Sequence, residues 1–147
     1  IDLIRYILGE AKSINSIVAN ISELKMTSDD SFFATLKMKN KVIVQMSFDL
    51  FSRTPRIYLE ITGQKGTIIW DRVDHQIKIY NREKNKWKVE KFDLNNLMSM
   101  YPRQAKYFYE CLTKKRKNFN NINDALRTQQ IIDAGFKSNK KEKIVKI

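Results

Sequence analysis

Apolar and polar residues alternate along most of the chain between residues 14 and 92, and this pattern limits the possible folds more than any other. In the runs 32–38 and 42–50 every second residue is apolar, and a polar corner, Lys39–Lys41, separates the two runs. A period of two is typical of a strand with one buried and one exposed face. These runs therefore predict a β-hairpin. Similar strand-like runs lie at 14–21, 56–61, 67–70, 76–80 and 87–92.

Near both ends the apolar residues take the spacing of a helix instead. Ile1, Ile4 and Leu8 share one helical face, and Gly9 follows where a helix would end. Further along, one helical stripe consists of Leu97, Tyr101, Ala105, Phe108 and Leu112. Because residue 1 already belongs to a helical turn and is not methionine, we expect the chain to be a piece of a larger protein.

A last helix is predicted after residue 121. Asn121, followed three residues later by Asp124, resembles an N-terminal cap. The helix that follows is amphipathic, with a face formed by Leu126, Gln129 and Ile132 and flanked by Ala125, Ile131 and Phe136. Residues 143–147 predict a short final strand. The order of elements predicts an α+β fold, a mostly antiparallel open-faced sheet with helices packed on one face, and the 147 residues predict one domain.

The sheet face opposite the helices mixes polar side chains with Phe33, Ile43 and Phe51. We interpret it as a subunit or domain interface, and the alternative is a simply solvated face. The polar residues predicted on it are Thr35, Lys37, Gln45, Ser47, Asp49, Tyr58 and Glu60.

The formal net charge of +12 allows an anionic partner, such as nucleic acid or a phosphorylated sugar. The lysines are scattered, however, and do not alternate with aromatic residues, which favours a solvated basic surface over a specific nucleic-acid site. The one cysteine excludes an internal disulfide, and no apolar run approaches the ~20 residues that span a bilayer. We therefore expect a cytoplasmic protein without a membrane partner.

No catalytic or metal motif stands out in the sequence. His75 is the only histidine and lies in a predicted turn, so no second histidine completes a metal site. Gly63 and Gly66 have the wrong spacing for a dinucleotide-binding or P-loop motif and precede a strand-like run. No catalytic residue is assigned, and the chain by itself does not look like a complete enzyme.

Four segments, in order, resemble the C-terminal domain of the Gfo/Idh/MocA oxidoreductases. Ile1–Glu10 is similar to the family's His-x-Ile-Asp-Leu-x-x-Trp-Leu-Leu-Gly-Glu segment, beginning two residues late. Ile61–Asp71 resembles its strand-Gly-x-x-Gly-strand hairpin. Met100–Phe108 resembles its Tyr-x-x-Glu-x-x-x-Phe helix, with Gln104 where glutamate is usual. Asn123–Ser138 resembles its Asp-Ala-Leu helix ending in serine.

The resemblance implies a two-part enzyme in which an N-terminal Rossmann domain, absent here, binds NAD or NADP. This chain would then supply the substrate pocket and form a homo-oligomer through its sheet face, with no cofactor in the fragment itself. The family's catalytic histidine would lie just before Ile1. Asp2 matches the motif near that centre, Tyr101 begins a helix that lines the pocket in relatives, and Arg53 and Arg56 lie where a strand enters the pocket region.

The sequence therefore predicts the substrate-binding and oligomerisation half of an NAD(P)-dependent oxidoreductase. The substrate would be a sugar, sugar nucleotide or polyol, bound by Asp2, Arg53, Arg56 and Tyr101. The fragment alone is expected to be inactive. The alternative is a non-catalytic basic module that binds nucleic acid or another anionic partner.

Overall fold

The alternating runs form antiparallel strands that divide between two four-stranded sheets. The computed structural model describes residues 1–93, 98–113, 116–119 and 121–147. It contains two units, one formed by Ile1–Phe51 with Asn118–Ile147 and the other by Ser52–Lys117. The predicted α+β class is confirmed.

The helices and strands begin and end close to the predicted positions. In chain order they are α1 (Asp2–Leu8), β1 (Ala11–Ala19), β2 (Ser31–Met38), β3 (Ile43–Asp49), β4 (Tyr58–Gly63), β5 (Gly66–Asp71), β6 (Gln76–Asn81), β7 (Lys86–Lys91), α2 (Met100–Thr113), α3 (Ile122–Lys141) and β8 (Val145–Lys146). None of the helices in the described ranges has the length and apolar character that crossing a membrane requires.

The first unit holds the hydrophobic core, which lies between α3 and a sheet of strand order β3-β2-β1-β8. Ile14, Leu36 and Ile131 are almost fully buried in it. Burying one side chain of this size contributes roughly 1.5–3 kcal/mol. The other buried apolar residues of this cluster are Ala11, Ala34, Met38, Val44, Met46 and Ala134.

The edge of β1 is completed partly by a strand and partly by a helix. Strand β8 pairs only with Ser13 and Ile14 of β1. Beyond that pairing, the Ser16 amide donates to Ser138 Oγ at 3.2 Å and the Val18 amide donates to Asn139 Oδ1 at 3.0 Å. Side chains of α3 therefore satisfy backbone donors that the short β8 does not reach.

The buried face of α3 agrees with the predicted one only at Ile131. Leu126 is exposed, and the buried face consists of Ile131, Ala134, Gly135 and Ser138. The reason is the close packing of α3 on the sheet, because small residues allow the backbone to approach β1. Ser16 Oγ donates to the Gly135 carbonyl at 2.7 Å, a contact that needs this proximity.

The second unit contains a sheet of order β4-β5-β6-β7, built from successive antiparallel pairs. The turn between β4 and β5 requires glycine at Gly66, because its φ is 154° and a Cβ there would lie 1.9 Å from the Tyr80 carbonyl oxygen. Helix α2 buries none of its described residues, so the predicted stripe through Tyr101, Phe108 and Leu112 is exposed. Leu97, predicted in the same stripe, lies outside the described residues.

Candidate functional site

The N-terminal turns of α1 and α3 form the walls of an open groove of about 240 Å³. Asn121 caps α3, since its Oδ1 accepts a hydrogen bond from the Asp124 amide at 3.1 Å. This confirms the cap that the sequence predicted. The residues that line the groove are Asp2, Asn121, Asp124, Ala125 and Thr128.

Asp2 is the predicted site residue that the structure places in this groove. Its Oδ1 accepts a hydrogen bond from the Thr128 hydroxyl at 3.1 Å and lies 3.5 Å from Arg5 Nη1. The side chain is 68% exposed. A carboxylate has about four acceptor positions, so Asp2 retains capacity for further hydrogen bonds from a bound hydroxyl.

Below the groove, Arg5 joins α1 to α3 although only 6% of the residue is exposed. Its Nη1 donates to the Asp124 carbonyl oxygen at 3.0 Å and to Thr128 Oγ1 at 2.7 Å. Its Nη2 donates to Glu10 Oε1 at 3.0 Å and to Asp124 Oδ1 at 2.9 Å. The guanidinium can serve so many acceptors because its donors form a rigid planar fork.

Arg5 and Glu10 both have pKa values shifted in the direction that favours their charged forms. Burial works to lower the pKa of Arg5, but its hydrogen bonds to the Glu10 and Asp124 carboxylates outweigh burial and raise it. The hydrogen bond from Arg5 holds the pKa of Glu10 below its usual range, against the opposing effect of burial. Arg127 Nη1 also donates to Glu10 Oε1 at 3.2 Å, and this second arginine is largely exposed.

The other predicted site residues belong to the second unit. Arg53 and Arg56 lie in the exposed segment before β4, where the Arg56 guanidinium stands 4.7 Å from the centre of the Tyr58 ring. Tyr101 lies in the first turn of α2 and is 58% exposed. The site residues thus form two sets, one in each unit, and their roles in substrate binding stay predictions.

Sequence reasoning did not identify Arg5, Glu10 or Thr128 as parts of the site. Arg5 carries a recognisable signal, because it follows Asp2 by three residues and so lies on the same side of α1. Thr128 carries none, since its role arises only when α3 packs beside α1.

The glycine pair of the second unit does not fit a nicotinamide cofactor. Such cofactors place their phosphates at a glycine-rich turn between a strand and a helix N-terminus, whereas Gly63 and Gly66 join β4 to β5. His75 occupies the turn between β5 and β6, with its ring 5.8 Å from that of Phe92. Among the described residues, no cluster of three or more His, Cys, Asp or Glu side chains is arranged to hold a metal.

A second surface of interest is the sheet face of the first unit that points away from α3, which we call the outer face. Ile17, Phe33 and Ser47 stand side by side on it, as neighbouring positions of β1, β2 and β3. Ile17 is 63% exposed and Ile43 is 57% exposed. Tyr58 and Glu60, predicted for the same face, belong to the second sheet, and Phe51 lies beyond the end of β3.

Comparison with protein families finds a match to the family described as "Oxidoreductase family, C-terminal alpha/beta domain", over residues 1–147. Comparison with curated proteins finds no significant match.

Solved oxidoreductase structures share the fold. An oxidoreductase from Agrobacterium radiobacter, in complex with NAD+, L-tartaric acid and magnesium, has a TM-score of 0.83 at 15% identity, covering 99% of this chain and 46% of that one. A levoglucosan dehydrogenase in complex with NADH has a TM-score of 0.84 at 15% identity, covering 99% and 47%. An aldose-aldose oxidoreductase from Caulobacter crescentus, complexed with glycerol, has a TM-score of 0.80 at 15% identity, covering 99% and 44%. The chain thus spans about half the length of these proteins.

Proposed function

Because the chain belongs to the C-terminal alpha/beta domain family of the Gfo/Idh/MocA oxidoreductases, we propose that it is the substrate-binding and assembly half of an NAD(P)-dependent oxidoreductase. The family match over the whole of residues 1–147 is the observation that carries this proposal. Residues 1–147 would act together as this domain. The nicotinamide and the catalytic histidine would belong to an N-terminal Rossmann domain, since the glycine turn of this chain does not fit the cofactor.

The proposed substrate is a sugar, sugar nucleotide or polyol, and the groove between α1 and α3 supports this class. Asp2, Asn121 and Asp124 bring carboxylate and amide groups to its walls, which suit the hydroxyl groups of such a molecule. The structural relatives crystallised with L-tartaric acid and with glycerol hold small polyhydroxy compounds of this kind. In this proposal Asp2 accepts a hydrogen bond from a substrate hydroxyl, and Arg53, Arg56 and Tyr101 contribute further contacts.

Assembly is proposed to use the outer face. Large exposed apolar side chains such as Ile17 and Ile43, interspersed with polar residues, are typical of surfaces that become buried between subunits. A homo-oligomer built on this face would leave the groove free, because α3 packs on the opposite side of the sheet.

One observation favours the alternative of a basic binding module. The second unit, residues 52–117, has 16 of the 28 Lys and Arg residues but only seven of the 16 Asp and Glu, a formal net charge of +9 out of +12. The Arg82 amide donates to the Lys65 carbonyl oxygen at 3.0 Å, which brings the tips of two hairpins together. Tight binding of an oligonucleotide at ~200 mM salt, without any dehydrogenase activity, would favour this alternative.

The experiment that tests the proposed function measures NADH or NADPH formation by the full-length protein with a panel of sugars, sugar nucleotides and polyols. We expect turnover of at least one, and we expect Asp2→Asn to raise KM with little change in kcat, since it weakens a substrate hydrogen bond without removing a proton-transfer group. Asp133→Asn is the matched control, because Asp133 lies on α3 outside the groove and contacts Gln129. Absence of turnover across the panel would refute the proposed function.

A further inference from the structure

The Thr128 hydroxyl connects the buried Arg5 to the exposed Asp2. Arg5 donates to Thr128 Oγ1 at 2.7 Å, so this oxygen acts as an acceptor on that side. A hydroxyl group has a single proton to donate. Thr128 directs that proton to Asp2 Oδ1, 3.1 Å away. The hydrogen bonds therefore run in one direction, from the guanidinium through the hydroxyl to the carboxylate at the groove.

The Arg5 guanidinium, from which these hydrogen bonds begin, is fixed in place by several further hydrogen bonds. Besides Thr128, the Arg5 guanidinium contacts two acceptors of Asp124 in the first turn of α3 and Glu10 just after α1. Because Arg5 is almost completely buried, water competes little for these donors. A lysine at position 5 has no planar fork and cannot serve the two elements in the same geometry.

We infer that Arg5 is a positioning residue, which fixes the Asp2 carboxylate so that Asp2 receives a substrate hydroxyl in one orientation. Its main contact to Asp2 runs through the Thr128 hydroxyl, and the direct ion pair between Arg5 Nη1 and Asp2 Oδ1, at 3.5 Å, supplements it. This inference rests on the proposed function, because it assigns Arg5 a role in the binding of the sugar-like substrate. It separates Arg5 from Arg127, which shares the Glu10 carboxylate but contacts neither Asp2 nor Thr128 among the hydrogen bonds of this cluster.

The test compares Arg5→Lys with Arg127→Lys in the full-length protein. We expect Arg5→Lys to raise KM about threefold to tenfold, the effect of weakening one hydrogen bond, while kcat stays within about twofold. Arg127→Lys should leave both parameters near the wild-type values. In a double-mutant cycle, adding Asp2→Asn to Arg5→Lys should raise KM no further, because both changes act on the same contact.

Thr128→Val provides a second variant if Arg5→Lys does not fold, because it removes only the hydroxyl that links Arg5 to Asp2. We expect it to raise KM by about as much as Arg5→Lys does. Additive effects of the Arg5 and Asp2 changes, or an unchanged KM in Thr128→Val, would overturn the inference.

Amide hydrogen exchange of residues 2–8 supplies a readout independent of turnover. Faster exchange in Arg5→Lys but not in Arg127→Lys supports the inference, and equal exchange overturns it. Absence of wild-type turnover refutes the proposed function separately.

Discussion

A single buried carboxylate, that of Asp30, organises the connection between β1 and β2. Its Oδ1 accepts hydrogen bonds from the Ile21 amide at 3.0 Å and the Ser31 hydroxyl at 2.7 Å. Its Oδ2 accepts from the Ser22 amide at 2.8 Å and the Ser22 hydroxyl at 2.5 Å. Burial alone would raise the pKa of Asp30, but these donors together hold it well below its usual range.

We predict that Asp30 contributes to stability at neutral pH and loses that contribution in acid. A carboxylate with a depressed pKa in the folded state stabilises the fold above its unfolded pKa of about 4, and the stabilisation disappears as the pH falls through the folded value. Asp30→Asn should lower Tm at pH 7, because the amide places donors where the Ser22 groups already donate. The difference in Tm from wild type should shrink steadily as the pH falls below about 4.

Thermal unfolding monitored by circular dichroism between pH 7 and pH 2 measures this difference. Asp29→Asn is the control, since Asp29 is the exposed neighbour of Asp30. A Tm difference for Asp30→Asn that stays constant over the whole pH range would contradict the prediction.

The strands could be predicted from sequence because their alternation depends only on which residues face the core. Val44 and Met46, for example, are buried as the period of two requires. The face of α3 could not be predicted in this way. Close approach of a helix to a sheet favours small residues such as Gly135 and Ser138. The spacing of apolar residues in the sequence does not indicate that such residues are buried. Likewise, Asp2 was predicted from a motif, but Thr128 becomes its partner only through tertiary packing.

Gly135 is a position at which α3 packs closely on β2. A Cβ atom at this position would lie 3.0 Å from Phe32 Cζ and 3.4 Å from Ile14 Cδ1. Glycine normally costs a helix interior about 1 kcal/mol relative to alanine. Glycine therefore occupies this position because a larger side chain has too little room, and not because the backbone adopts a conformation that favours glycine.

We predict that Gly135→Leu destabilises the first unit by about 2–3 kcal/mol, because the added atoms overpack the contact between α3 and β2. Urea unfolding gives the free energy of unfolding. The double variant with Phe32→Ala tests the cause, since removing the ring vacates the space that the leucine needs. The double variant should lose less free energy of unfolding than the two single variants lose together. If the two losses simply add, the strain does not arise from contact with the Phe32 ring.

The whole protein is expected to self-associate through the outer face. Sedimentation velocity at micromolar concentration should show a dimer or larger species, and Ile43→Lys should shift it towards the monomer, because a charge placed in an apolar contact loses hydration on burial. Phe136→Lys is the matched control, since Phe136 is similarly exposed but lies on α3. A wild-type protein that stays monomeric at high concentration would contradict the prediction.

The first unit is discontinuous in sequence, and this has a consequence for how the protein folds during translation. Ile14 and Leu36 are synthesised before the second unit, whereas Ile131 and Ala134, which cover them, follow only after the whole second unit has been synthesised. At roughly 5–20 residues per second, the nascent sheet keeps its apolar side uncovered for several seconds. The strands of the second unit pair with their neighbours in sequence, so its hairpins can form during that delay. The β1–β3 segment therefore cannot complete its core until α3 has been synthesised.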